Sequence, residues 1–188
     1  MAVRSLNGRV PAIWLALVLG CLVTSVGLAQ GTQQAKAEDH LVAPEVLAAL
    51  LPAPEGWTKG EAILNKVDSM SCAYTTASTT YTKGDMRVKL TIADSGAHSD
   101  SLMAVAAMVV TLPDGYAETV PPATTVARVK INDMPAAEMW DAEALKGELT
   151  VLVNGRFAVA LEAKKVDSLD TLRAILAAVD LKALAAKK

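Results

Sequence analysis

Met86, Val88, Leu90 and Ile92 alternate with Arg87, Lys89 and Thr91. A period of two puts successive side chains on opposite faces, so this stretch is a strand with one apolar and one wet face. Lys83-Gly84-Asp85 just before it is turn chemistry. Residues 72–82 are crowded with Tyr74, Thr75, Thr76, Thr79, Thr80 and Tyr81, whose shapes fit a pleated surface. The two segments read as a long hairpin. An antiparallel sheet with one wet face needs a second layer over the other, and the rest of the chain must supply it.

Three apolar-faced helices are expected to do so. Pro44 opens a short one whose positions 46, 47, 50 and 51 are apolar, stopped by Pro52 and Pro54. Ser99–Leu112 presents Leu102, Met103, Val105, Ala106, Val109 and Val110 on a broad face. Leu169, Leu172, Ile175, Leu176 and Val179 share the face of a last helix, with Leu181 and Leu184 in its extension or a following turn. Further strands are expected at Trp57–Ile63, Val126–Ile131, Ala136–Asp141, Glu148–Val153 and Arg156–Ala163. Asn154-Gly155 joins the last two, because both positions tolerate positive φ. The fold class is therefore α+β: a mainly antiparallel sheet packed with about three helices, as an α-β-α or a two-layer sandwich. Lys83-Gly84-Asp85-Met86 and Lys146-Gly147-Glu148-Leu149 echo each other as turn followed by strand, which reads as shared hairpin chemistry.

The first thirty residues follow other rules. Arg4 and Arg9 precede an uncharged stretch containing Ala12-Ile13-Trp14-Leu15-Ala16-Leu17-Val18-Leu19-Gly20. A positive start and an apolar segment make an export signal. Three fates fit it: cleavage after Gly27-Leu28-Ala29, lipidation at Cys21 after Val18-Leu19-Gly20, or an uncleaved anchor. Each delivers the rest of the chain outside the cytoplasm, to a periplasmic or extracellular site. A membrane is then met only through a lipid on Cys21 or the retained signal. The organisation expected is a signal peptide or lipoprotein signal at 1–29, a polar tether at 30–42 and a single α+β domain at 43–188. Cleavage removes two bases and no acid, taking 18 bases to 16 against 20 acids, so a net charge of −2 becomes −4. That balance argues against a nucleic-acid partner. Thirty alanines in the remaining chain favour close packing over a greasy core. Cys72 is left as a lone thiol, read as a small buried hydrophobe.

Tyr81-Thr82-Lys83-Gly84-Asp85, Asn154-Gly155-Arg156-Phe157 and Val179-Asp180-Leu181-Lys182-Ala183-Leu184 resemble a set of uncharacterised exported bacterial proteins over about residues 55–186. The order of elements loosely resembles the PsbP/Mog1-like α-β-α sandwich. Neither resemblance implies an activity or a functional residue.

Chemistry is sparse. No Walker loop, G-x-G-x-x-G, G-x-S-x-G, H-E-x-x-H, EF-hand loop or C-x-x-C is present. No cofactor, metal or catalytic residue is expected. Asp94-Ser95-Gly96-Ala97-His98-Ser99-Asp100-Ser101 holds acid, imidazole and hydroxyl groups, but neighbours along a turn point apart, so it reads as a loop with a helix cap. Arg87, Lys89, Arg128 and Lys130 form a candidate binding face if their strands are neighbours, suited to lipid headgroups or an acidic partner. Met103, Met108, Met134 and Met139 read as core filling, and Trp57, Trp140, Tyr116 and Phe157 as core or pocket lining. His40 sits in the tether. The expected function is a non-enzymatic envelope domain that binds another protein. A carrier of an apolar ligand between sheet and helices is the alternative. A hydrolase using His98 with Ser95 or Ser99 comes third.

Overall fold

In the computed structural model, alternation in the strands and the order of hairpins generate one nine-stranded sheet. The structure describes residues 41–187 except 70–71, 97–105, 107–108, 110 and 121–122. The strands are β1 (Thr58–Lys59), β2 (Ile63–Ser69), β3 (Cys72–Lys83), β4 (Met86–Asp94), β5 (Ala117–Val120), β6 (Thr124–Ile131), β7 (Met134–Asp141), β8 (Lys146–Val153) and β9 (Phe157–Lys164). The helices whose bounds fall within the described residues are α1 (Pro44–Ala48), α2 (Asp170–Ala177) and α3 (Leu181–Ala185). Every pairing is antiparallel, in the order β1-β3-β4-β9-β8-β7-β6-β5, with β2 also on the outer side of β3.

The expected hairpin is β3–β4, with Val88 facing Tyr81 and Ile92 facing Ala77. The expected Asn154-Gly155 turn has φ of 53° and 67° and joins β8 to β9. The expected strand from Trp57 to Ile63 is divided. Lys59 lies opposite Tyr81 and Ile63 opposite Ser78, so the edge advances four residues while β3 advances three. One extra residue between Gly60 and Ala62 is a β-bulge, and it separates β1 from β2. β5 and the continuation of β2 to Ser69 were not expected from the residues.

The main core lies on one face of the sheet. Val88, Leu90 and Ile92 of β4, Phe157, Val159 and Leu161 of β9, and Leu149, Val151 and Val153 of β8 pack with Leu47, Leu172, Ile175, Leu176, Leu181 and Leu184 of the helices and their flanks. Gly147 opens this face to α2: a Cβ there would sit 3.2 Å from Leu169 Cδ2 and 3.3 Å from Trp140 Cε3. The last helix is broken at Asp180, whose Oδ1 accepts the Ala183 N–H at 2.8 Å and caps α3. Most of the helix expected at Ser99–Leu112 lies outside the described residues, but Ala106, Val109 and Thr111 are helical. Ala106 and Val109 are buried in a separate small cluster with Ala93, Ala137 and Ala158.

Candidate functional site

Asp94 continues the alternation of β4 by one step past Ile92, which places a carboxylate in phase with the apolar face. It is fully buried. Such a group needs partners, because desolvating an unpaired carboxylate is costly. It has four. Arg156 donates from Nε to Oδ1 and from Nη2 to Oδ2, both at 2.8 Å. The Val42 N–H donates to Oδ2 at 2.7 Å and the Gly96 N–H to Oδ1 at 2.8 Å. Thr75 Oγ1 donates to the Val42 carbonyl at 2.7 Å. Ser95 Oγ donates to the Arg156 carbonyl at 3.1 Å. The Arg156 guanidinium also lies 4.8 Å over the Phe157 ring, and its bond to Asp94 raises its already high pKa. The acid and hydroxyl at the start of the 94–101 cluster are thus committed to holding the chain together. His98, Ser99 and Asp100 lie outside the described residues, as do Cys21, His40, Met103 and Met108.

A second bidentate pair sits on the same face. Glu138 of β7, nearly buried, accepts from Arg173 Nε at 2.8 Å and Nη2 at 2.6 Å. Arg173 also reaches Asp170 at 2.8 Å. These bonds, Glu138 first, hold the Arg173 guanidinium above its ordinary pKa. Neither buried carboxylate is left to do chemistry.

The four cations singled out in the sequence are not brought together. Arg87 and Lys89 belong to β4, Arg128 and Lys130 to β6, and β9, β8 and β7 lie between. Four spacings of about 4.8 Å separate the two pairs by roughly 19 Å. Arg128 is occupied: it pairs with Asp114 at 3.0 Å and donates to the Leu112 carbonyl.

The strand order builds a different row. Arg87 of β4 faces Lys164 of β9, and Lys164 faces Lys146 of β8, which faces Asp141 of β7. All three cations are exposed. Among the described residues none of them has an ion-pair partner. Asp141 at the end of the row is turned to its own loop, its Oδ1 accepting from Glu143 N at 3.1 Å and Ala144 N at 2.8 Å. Opposed residues in an antiparallel pair have Cα atoms only about 4.5–5.5 Å apart, and like charges there repel. The adjacent row on the same face runs Lys89, Glu162, Glu148, Met139. Burial, then the Glu162 charge, push the Glu148 carboxyl up from 4.5. In sequence Lys146 reads as a turn residue, and Lys164 lies just past the strand expected at Arg156–Ala163. Only the pairing of β4, β9 and β8 aligns them with Arg87.

The remaining candidates are structural. Phe157 is buried, and Trp57, Trp140 and Met134 pack against the core. Met139 and Tyr116 are half-buried. Tyr116 donates to Glu118, and this bond raises its pKa. Cys72 opens β3 opposite Ser69. Among the described residues no three potential ligands group around a metal position, and no helix is long and apolar enough to cross a membrane. A surface dent of about 350 Å³ is lined by Asn132 and by residues 177–182 at the α2–α3 link. Comparison with protein families, curated proteins and solved structures finds no match to this chain.

Proposed function

We propose that this chain is an exported, non-enzymatic binding domain of the cell envelope, and that the row Arg87–Lys164–Lys146 receives an acidic segment of a partner protein. The observation that carries the reading is three exposed cations on directly facing positions of three adjacent strands, none of them with an ion-pair partner among the described residues. Such a row weakens the sheet that holds it. An external run of carboxylates relieves the repulsion and matches the row in charge. Export rests on Arg4, Arg9 and the uncharged stretch behind them. The layering that suits this role is α-β-α, with α1, α2 and α3 on one face. Ala106 and Val109 pack with Ala93, Ala137 and Ala158 of the other face, and Arg87, Lys164 and Lys146 are exposed.

A photo-crosslinking side chain at Thr91, on the same face, tests this in cells against a control at Thr119 on β5. Protein adducts are expected from position 91 and not from 119. They are expected to disappear when Lys146→Glu and Lys164→Glu are combined. Adducts that survive the double reversal, or none above the control, overturn the proposal.

A further inference from the structure

The two edges of the sheet are guarded unequally. β5 is four residues long and is followed in sequence by Pro121 and Pro122, so it offers little to a foreign strand. At the other edge the bulge after Lys59 interrupts the ladder, and Lys59 Nζ is folded back onto the Leu51 carbonyl at 2.6 Å. Beyond the bulge β2 runs for seven residues in unbroken register with β3, from Ile63 opposite Ser78 to Ser69 opposite Cys72. It contains no proline and no glycine. Among the described residues nothing pairs with its outer side. Ile63 is 66% and Leu64 40% exposed, large apolar side chains on a strand that face solvent.

We propose that β2 pairs antiparallel with β2 of a second copy of this chain, about a two-fold axis midway between the two copies of Val67. Residues directly opposed in an antiparallel pair share a face, so a two-fold axis perpendicular to the sheet must lie midway between two copies of one residue. Centring it on Lys66 or Asp68 sets like charges against each other. Centring it on Asn65 leaves Lys66 opposite Leu64. Centring it on Val67 sets Lys66 opposite Asp68 twice and Asn65 opposite Ser69 twice, with Val67 meeting itself. Opposite charges in facing positions stabilise a strand pair. Of these choices, Val67 alone makes the edge complementary to itself in charge. The axis keeps faces on their own sides. Both copies therefore present Arg87, Lys164 and Lys146 on the same side of one continuous sheet.

Sedimentation of the purified protein from micromolar to submillimolar concentration is the test. A reversible dimer is expected. Lys66→Asp alone and Asp68→Lys alone should each weaken it by roughly tenfold or more, and the two together should restore it. A wild-type chain that stays monomeric throughout overturns the proposal, as does a double variant no tighter than the single ones. Circular dichroism of each variant checks that the fold is kept. If the single variants fail to fold, Val67→Cys in a background with Cys21 and Cys72 changed to Ser decides. The facing Cα atoms lie within disulfide reach, so a disulfide-linked dimer is expected on mild oxidation, and its absence overturns the proposal. None of these variants touches the Arg87–Lys164–Lys146 row.

Discussion

The two faces of the sheet treat charge in opposite ways. On the helix-covered face each buried carboxylate is gripped by a guanidinium: Asp94 by Arg156 and Glu138 by Arg173. On the other face like stands against like at three facing pairs, Lys164 against Arg87, Lys164 against Lys146 and Glu148 against Glu162, while Lys89 faces Glu162. The first arrangement is what stability requires, since a buried charge without a partner is strongly destabilising. The second lowers stability a little at each pair, and water makes it tolerable. A surface on which repulsion is retained is the surface to examine for a ligand.

The contrast predicts opposite signs for removing a charge on the two faces. Asp94→Ala removes the buried carboxylate to which Arg156, Val42 N–H and Gly96 N–H donate, and urea denaturation should show a loss of about 3–5 kcal/mol. Glu138→Ala should cost less, about 2 kcal/mol in the same measurement, because Arg173 is half exposed and retains Asp170. Glu148→Gln should instead stabilise the domain, by about 0.5 kcal/mol near neutral pH. The sign follows from the raised carboxyl. The folded state prefers the protonated form, so stability is fullest below the unfolded value of 4.5 and falls as pH rises through the folded one. The gain from Gln should therefore be present near pH 7 and absent near pH 4 when melts are compared. Lys164→Thr is the smallest effect, a gain of about 0.3 kcal/mol that should shrink in high salt. If Lys164→Thr or Glu148→Gln destabilised the chain, the two faces would not differ as described.

Much of the fold was legible because its signals are local. The alternation in β4, the Thr and Tyr run of β3, the Asn154-Gly155 turn and the apolar face of α2 all lie within short windows of sequence. β2 escaped because Ile63-Leu64-Asn65-Lys66-Val67 has no clean alternation, and its partner β3 supplies the order. β5 is too short to show a period. Of the candidate site, Arg87 was found from its wet position in β4. Lys146 and Lys164 were not, because register between distant strands is a long-range property. Asp94 did leave a trace: extending the alternation of β4 by two residues places an acid on the apolar face, which calls for a buried cation. Arg156 gave no matching sign, since it reads as the residue after a hairpin turn.

Tyr81 ties the same flank from another side. Buried in β3, it donates to the Pro52 carbonyl at 2.9 Å, and burial pushes its phenol up to about 12. Together with the bonds to Val42 this gives the entry of the domain a mechanical character. The N–H of Val42 is held by Asp94 at the end of β4, and its carbonyl by Thr75 in β3. Tension applied to the chain ahead of Leu41 therefore does not peel one strand from an edge. It is divided between two adjacent strands inside the sheet and passed through Arg156 to the β8–β9 turn, so the domain should yield late and all at once under load.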